Sequence, residues 1–163
     1  AARLEASGPA RRAGAVDDLP CGRYYFQGVG GRGDFDVTIT GRVALYIDGT
    51  FLLDGDLRVT LAPGAELDLF VSGDVNLPRG FVFGDPTTPT RARMYVGGGG
   101  SMALGGRGVF AGNLHAPDVE LQVAGDLEVF GALVARRVAA SGSGTSITLA
   151  AVARSKSPAR IGT

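Results

Sequence analysis

Apolar and polar residues alternate with a period of two in short bursts along the chain, and most bursts close on glycine. "LYIDG" at residues 45–49 and "LFVSG" at 69–73 are near copies of one another. "YYFQG" from Tyr24, "MYVGG" from Met94, "LQVAG" from Leu121 and a degraded "ITLAA" from Ile147 extend the set. The copies begin at 24, 45, 69, 94, 121 and 147, so successive starts lie 21, 24, 25, 27 and 26 residues apart. A burst of period two that ends in Gly is the pattern of a short half-buried strand followed by a turn. Self-similarity at a nearly fixed spacing marks stacked coils, each burying its apolar side against its neighbours. Six copies predict about six coils.

Residues two apart on a strand share a face. The alignment therefore predicts one inward ladder of Tyr24, Leu45, Leu69, Met94, Leu121 and Ile147, and a second of Phe26, Ile47, Val71, Val96, Val123 and Leu149. Between them Tyr25, Tyr46, Phe70, Tyr95, Gln122 and Thr148 form an outward row. A second strand follows most of the glycines, with inward ladders Phe51, Val75, Met102, Leu127 and Leu53, Leu77, Leu104, Val129. A third, less regular run completes the coil, as in "DLRVTLAPG" from Asp56 and "ALVARRVAASG" from Ala132. Three short strands in a coil of 24 to 27 residues predict an all-β fold, a right-handed parallel β-helix, rather than the shorter and stricter left-handed hexapeptide type. The β-helix is expected over 21–152, after a linker or capping segment at 1–20 that can contain a short helix and before a flexible basic tail at 153–163. "GDPTTPTRAR" at 84–93, with two prolines and no alternation, reads as a protruding loop.

Composition narrows the function classes. A chain of 163 residues with 45% hydrophobic content suffices for one packed domain. Its 27 glycines follow no collagen triplet and are assigned to turns. Sixteen basic and sixteen acidic residues cancel, which gives no electrostatic reason to expect nucleic acid, and no apolar run approaches the roughly 18 residues of a membrane span. Charge is nonetheless unevenly placed: residues 34–74 hold eight acids and two bases, and residues 75–163 hold nine bases and five acids. The first residue is Ala, which reads as a processed product or fragment. Cys21, the single cysteine, excludes an internal disulfide and is expected as a small buried side chain.

Candidate chemistry is sparse. His115, the one histidine, has no ligand partner at a familiar metal spacing and cannot supply a nucleophilic triad by itself. The carboxylate pairs Asp54 and Asp56, Glu66 and Asp68, and Asp118 and Glu120 have the form of glycosidic or calcium-binding pairs, but acids beside Gly turns are ordinarily turn residues. Arg32, Gly33 and Asp34 spell a cell-attachment tripeptide, a match of three common residue types. The runs "GVGGRG" and "VGGGGS" lack the Lys and following helix of a phosphate loop. No catalytic residue, metal ligand or cofactor is assigned. The outward Tyr25, Tyr46, Phe70 and Tyr95 form an apolar stripe, and such a stripe marks an interaction surface unless something covers it.

The segments "TITGRVALYIDG", "LAPGAELDLFVSGDV", "GDPTTPTRARMYVGG" and "FAGNLHAPDVELQVAGDLEVFGALVARRV" resemble, over about residues 19–152, an uncharacterised solenoid domain of secreted or surface proteins from myxobacteria and relatives, also found in PilX-type pilus assembly proteins. "HAP" and "GALVA" are similar, more weakly, to choice-of-anchor adhesin domains. The resemblance implies an extracellular or cell-surface role and brings no catalytic residues. The function expected is a non-enzymatic structural subunit of a surface filament or assembly, self-associating through its ends at Ile147 and Leu149, because a solenoid's end coils present unpaired strand edges. The alternative is an adhesin or carbohydrate-binding module that uses the aromatic stripe. Partners are then the chain itself, other surface proteins or a glycan.

Overall fold

The computed structural model describes residues 4–8, 11–12, 16–150 and 154–155. The chain is all-β and winds into a β-solenoid of about six turns in which every strand pair is parallel. A coil imposes this, since a chain returning to the same side after each circuit runs the same way every time.

The strands fall into three columns. The first stacks β1 (Leu4–Gly8), β4 (Gly22–Phe26), β7 (Arg42–Ile47), β10 (Glu66–Val71) and β13 (Ala92–Val96). The second stacks β2 (Arg11–Arg12), β5 (Val29–Gly31), β8 (Phe51–Leu53) and β11 (Val75–Leu77). The third stacks β3 (Val16–Leu19), β6 (Phe35–Ile39), β9 (Leu57–Leu61) and β12 (Phe81–Gly84). All three columns then run onto one long, repeatedly bending strand, β14 (Ser101–Ala140), and β15 (Ser146–Leu149) and β16 (Arg154–Ser155) pair with it in turn.

Through the first four copies the register follows the sequence alignment: Tyr24 pairs with Leu45, Leu45 with Leu69 and Leu69 with Met94. Beyond that the alignment slips. Met94 pairs with Leu114, not Leu121, because the coil shortens to 20 residues once the chain enters β14. Gly125 then abuts Gly106 and Gly131 abuts Gly112, so the next circuit is 19 residues long. Leu121 and Val123 consequently belong to the second column, and Leu127 and Val129 to the third, where Ile147 and Leu149 pair with them. The inward and outward parity survives the slip, and Leu121, Val123, Leu127 and Val129 are all buried. Four acids, Asp118, Glu120, Asp126 and Glu128, fall in the single circuit 113–131, which contains no Lys or Arg, so charge varies from rung to rung rather than as one gradient.

The core is a continuous apolar column, and among the described residues no polar or charged side chain is buried in it. Phe83 and Phe110 stack inside it with centroids 4.9 Å apart, and Tyr24 stays inward by donating its hydroxyl to the Pro20 carbonyl at 2.9 Å. The short helix expected near the N-terminus is not found among the described residues. Leu4–Gly8, Arg11–Arg12 and Val16–Leu19 are strands that add a rung to the first coil, because their backbone groups find partners on β4, β5 and β6. In the expected tail, Arg154 and Ser155 pair with Val134 and Ala135, and the remainder lies outside the described residues. The protruding loop contains the one helical turn among the described residues, Pro89–Arg91, and Asp85 accepts from the backbone and hydroxyl of Thr87.

Candidate functional site

The outward row of the first column is built by register. Tyr25, Tyr46, Phe70 and Tyr95 are successive Cα partners, and the next residue in the row is His115 rather than Gln122. Thr148 likewise lies in the third column, opposite Glu128. The strand spacing brings the rings together. Tyr46 and Phe70 stack with centroids 4.7 Å apart and 8° from parallel, and Phe70 and Tyr95 at 4.8 Å and 11°. His115 meets Tyr95 edge-on at 6.2 Å and 61°.

Tyr25 directs its hydroxyl one rung onward to the Asp48 carboxylate, and Ser72 donates to the other Asp48 oxygen at 3.1 Å. These donors hold the Asp48 carboxyl below the usual range, Tyr25 contributing more than Ser72, and the same bond raises the Tyr25 phenol. A groove of about 380 Å³ runs beside the row. It is lined by the four aromatic residues and, along the turn that follows them, by Asp48, Ser72 and Gly97.

Two and four residues before the aromatic row, the same face carries an ion-pair network. Arg93 donates to Asp68 and, at 3.2 Å, to Glu66, which also accepts from Arg42 at 3.1 Å. Glu66 is held below the ordinary carboxylate range, first by Arg42 and then by Arg93. Arg93 also reaches the Thr90 carbonyl at 3.3 Å, which ties the protruding loop to the sheet.

Several of the remaining sequence candidates resolve into structural roles. Asp34 accepts the Asp56 backbone N–H at 2.9 Å and Asp56 accepts that of Gly80 at 3.0 Å, so both carboxylates tie one turn to the next. The Arg32-Gly33-Asp34 aspartate is thereby engaged by its own chain. Glu120 faces Arg137 at 4.0 Å. Cys21 is exposed instead of buried, with its sulfur accepting the Arg42 N–H at 3.2 Å, because it sits in the turn before β4 rather than at an inward strand position. Among the described residues no group of three or more His, Cys, Asp or Glu is placed to hold a metal ion. Ile147 and Leu149 lie in the last described rung of the third column, apart from the aromatic row; Ile147 is half-buried and Leu149 is 48% exposed.

His115 is the residue of the row that the sequence alignment missed. The signal was present in "LHA" at 114–116 and "LVA" at 133–135, 19 residues apart, the same spacing as the glycine pairs that stack.

A family model described as a domain of unknown function (DUF7305) matches residues 3–151, which take in every strand but β16. The chain belongs to this family. Its matched span takes in the N-terminal strands as well as the regular coils, consistent with β1 to β3 being part of the same stack. No curated protein and no solved structure matches the chain.

Proposed function

We propose that this DUF7305 domain is a non-enzymatic structural module of an extracellular or cell-surface protein, a β-helical subunit that associates with a second copy through the end of its rod. The observation that carries this reading is the last described rung of the third column. Leu127 and Val129 are buried, whereas Leu149, stacked on Val129, is 48% exposed. Among the described residues β15 pairs with β14 alone, so the rung offers backbone donors and acceptors together with apolar surface.

The opposite end differs. Arg11 pairs in register with Val29, and Asp17 with Val37, so charged residue types stand at register positions that are apolar in the rungs that follow. Like ends meeting across a two-fold axis close the assembly as a pair of rods, whereas unlike ends meeting head to tail leave it open. The surface address is supported by the resemblance of the repeat segments to secreted and surface solenoid domains.

The carbohydrate-binding alternative is weakened by the aromatic geometry. A sugar stacks on a ring face, and the faces of Tyr46, Phe70 and Tyr95 are turned toward one another along the row.

Sedimentation across a dilution series tests the reading. The expected result is a monomer–dimer equilibrium that Leu149→Arg shifts toward monomer without changing the melting curve. A monomer at every concentration would sink it, and long filaments would show head-to-tail contact between unlike ends in place of a closed pair.

A further inference from the structure

We propose that the groove beside the aromatic row binds a flat, elongated aromatic cation lying along the rod axis. The inference is independent of the end-to-end association above. It begins from the groove wall. With Tyr46, Phe70 and Tyr95 within 8° and 11° of parallel at 4.7 and 4.8 Å, the ring faces are occupied by one another and the wall is a ribbon of ring edges. Aromatic edges carry the positive part of the quadrupole and seek the negative face of another π system, the edge-to-face arrangement. A planar conjugated ligand laid with its electron-rich rings against the ribbon makes that contact with several rungs at once while its cationic ring lies at the Asp48 end, and being rigid it loses little conformational freedom on binding.

The charge follows from the opposite side of the groove. Asp48 is its only ionisable carboxylate, both oxygens are fixed by Tyr25 and Ser72, and no Lys or Arg lines it. A fixed anion in an otherwise apolar groove selects a cation. The ends set the length. The bond from Tyr25 to Asp48 crosses from the aromatic row to the turn row and closes one end, whereas Gly97 leaves the other end without a side chain. From Tyr46 to Tyr95 is two strand spacings, roughly 10 Å, which suits two or three linked rings. The volume of about 380 Å³ is at the small end of ligand sites.

Thioflavin T, a flat benzothiazolium cation, is a suitable probe, titrated by calorimetry and fluorescence into protein kept monodisperse. The expected result is one saturable site of micromolar affinity. Phe70→Ala is expected to weaken it at least tenfold, and Asp48→Asn several-fold for thioflavin T while an uncharged analogue of the dye is unaffected. If Phe70→Ala fails to fold, Gly97→Leu serves instead. Position 97 lies outside the left-handed region and an added Cβ there meets nothing nearer than the Val71 carbonyl at 3.9 Å, so this variant folds and obstructs the open end. Absence of saturable binding, or affinity unchanged in both Phe70→Ala and Gly97→Leu, overturns the proposal. Binding that disappears as protein concentration rises would place a second copy in the groove and overturn it as well.

Discussion

Arg93 extends its guanidinium back by one rung to the carboxylate of Asp68, so a side chain of one coil neutralises a charge on the coil before it. The same group bridges to Glu66 and to the loop carbonyl of Thr90, clamping two rungs and a loop together. Arg93→Ala should lower stability by about 1 kcal/mol, the upper end for partly exposed ion pairs, with most of the loss disappearing in high salt. Denaturant unfolding at low and high ionic strength measures both. An effect insensitive to salt would mean that the loop tie, not the charge, is what matters.

Tyr25 and Asp48 make stability fall at both extremes of pH. Asp48 is held below its ordinary value of 3.8, so its contribution is present above that pH and is lost as pH falls through the lowered value. Tyr25 is raised above 10.0, so its contribution is present below that pH and is lost as pH rises through the raised value. Tyr25→Phe should therefore flatten the alkaline limb and soften the acid one. Part of the acid limb persists because Glu66 is held low by Arg42 and Arg93. Unfolding midpoints recorded from pH 2 to 11 would reveal an unchanged alkaline limb if the bond contributes nothing.

Val71 lies in the inward ladder, 2% exposed. Val71→Asp places a carboxylate with no partner in an apolar column, at a cost of several kcal/mol, enough to unfold a domain of ordinary stability. A cooperative thermal transition near that of the parent protein would contradict the inward assignment of this row.

Two left-handed glycines should respond very differently to alanine. At Gly131, φ is +125° and an added Cβ would come within 2.1 Å of the Gly112 carbonyl oxygen, so Gly131→Ala must push two rungs apart. At Gly64, φ is +80° and the space is open. Gly64→Ala should cost only about 1 kcal/mol of backbone strain, whereas Gly131→Ala should remove several degrees more of melting temperature. Equal melting curves would show that the rungs at 112 and 131 are not in close contact.

The coil architecture, the three columns and the burial parity could be read from the sequence because strands alternate and the first copies keep a steady spacing. Tyr24, Leu45, Leu69 and Met94 were placed correctly for that reason. The later rungs were misplaced because β14 shortens its turns, and "LQVAG" from Leu121 retains the look of the phrase one column further on. Parity concealed the slip, since a buried leucine is expected in any of the three columns. Of the groove, the aromatic wall of Tyr25, Tyr46, Phe70 and Tyr95 could be read as an outward row, but its closed end could not. It depends on Tyr25 reaching across a rung to Asp48, a side-chain contact that no periodicity encodes. The N-terminal strands were missed because "RR" and "VDD" break the apolar alternation on which strand prediction relies.

The parallel stacking of strands along one axis also governs how the domain bears load. Backbone hydrogen bonds between rungs point along the rod, so a pull between the two termini meets them in tension and opens one coil before straining the next. The domain would pay out chain in steps of one circuit, roughly 60 to 100 Å for 19 to 27 residues at about 3.3 to 3.6 Å each. A protein carrying such a module has a built-in extensible element that yields gradually from an end.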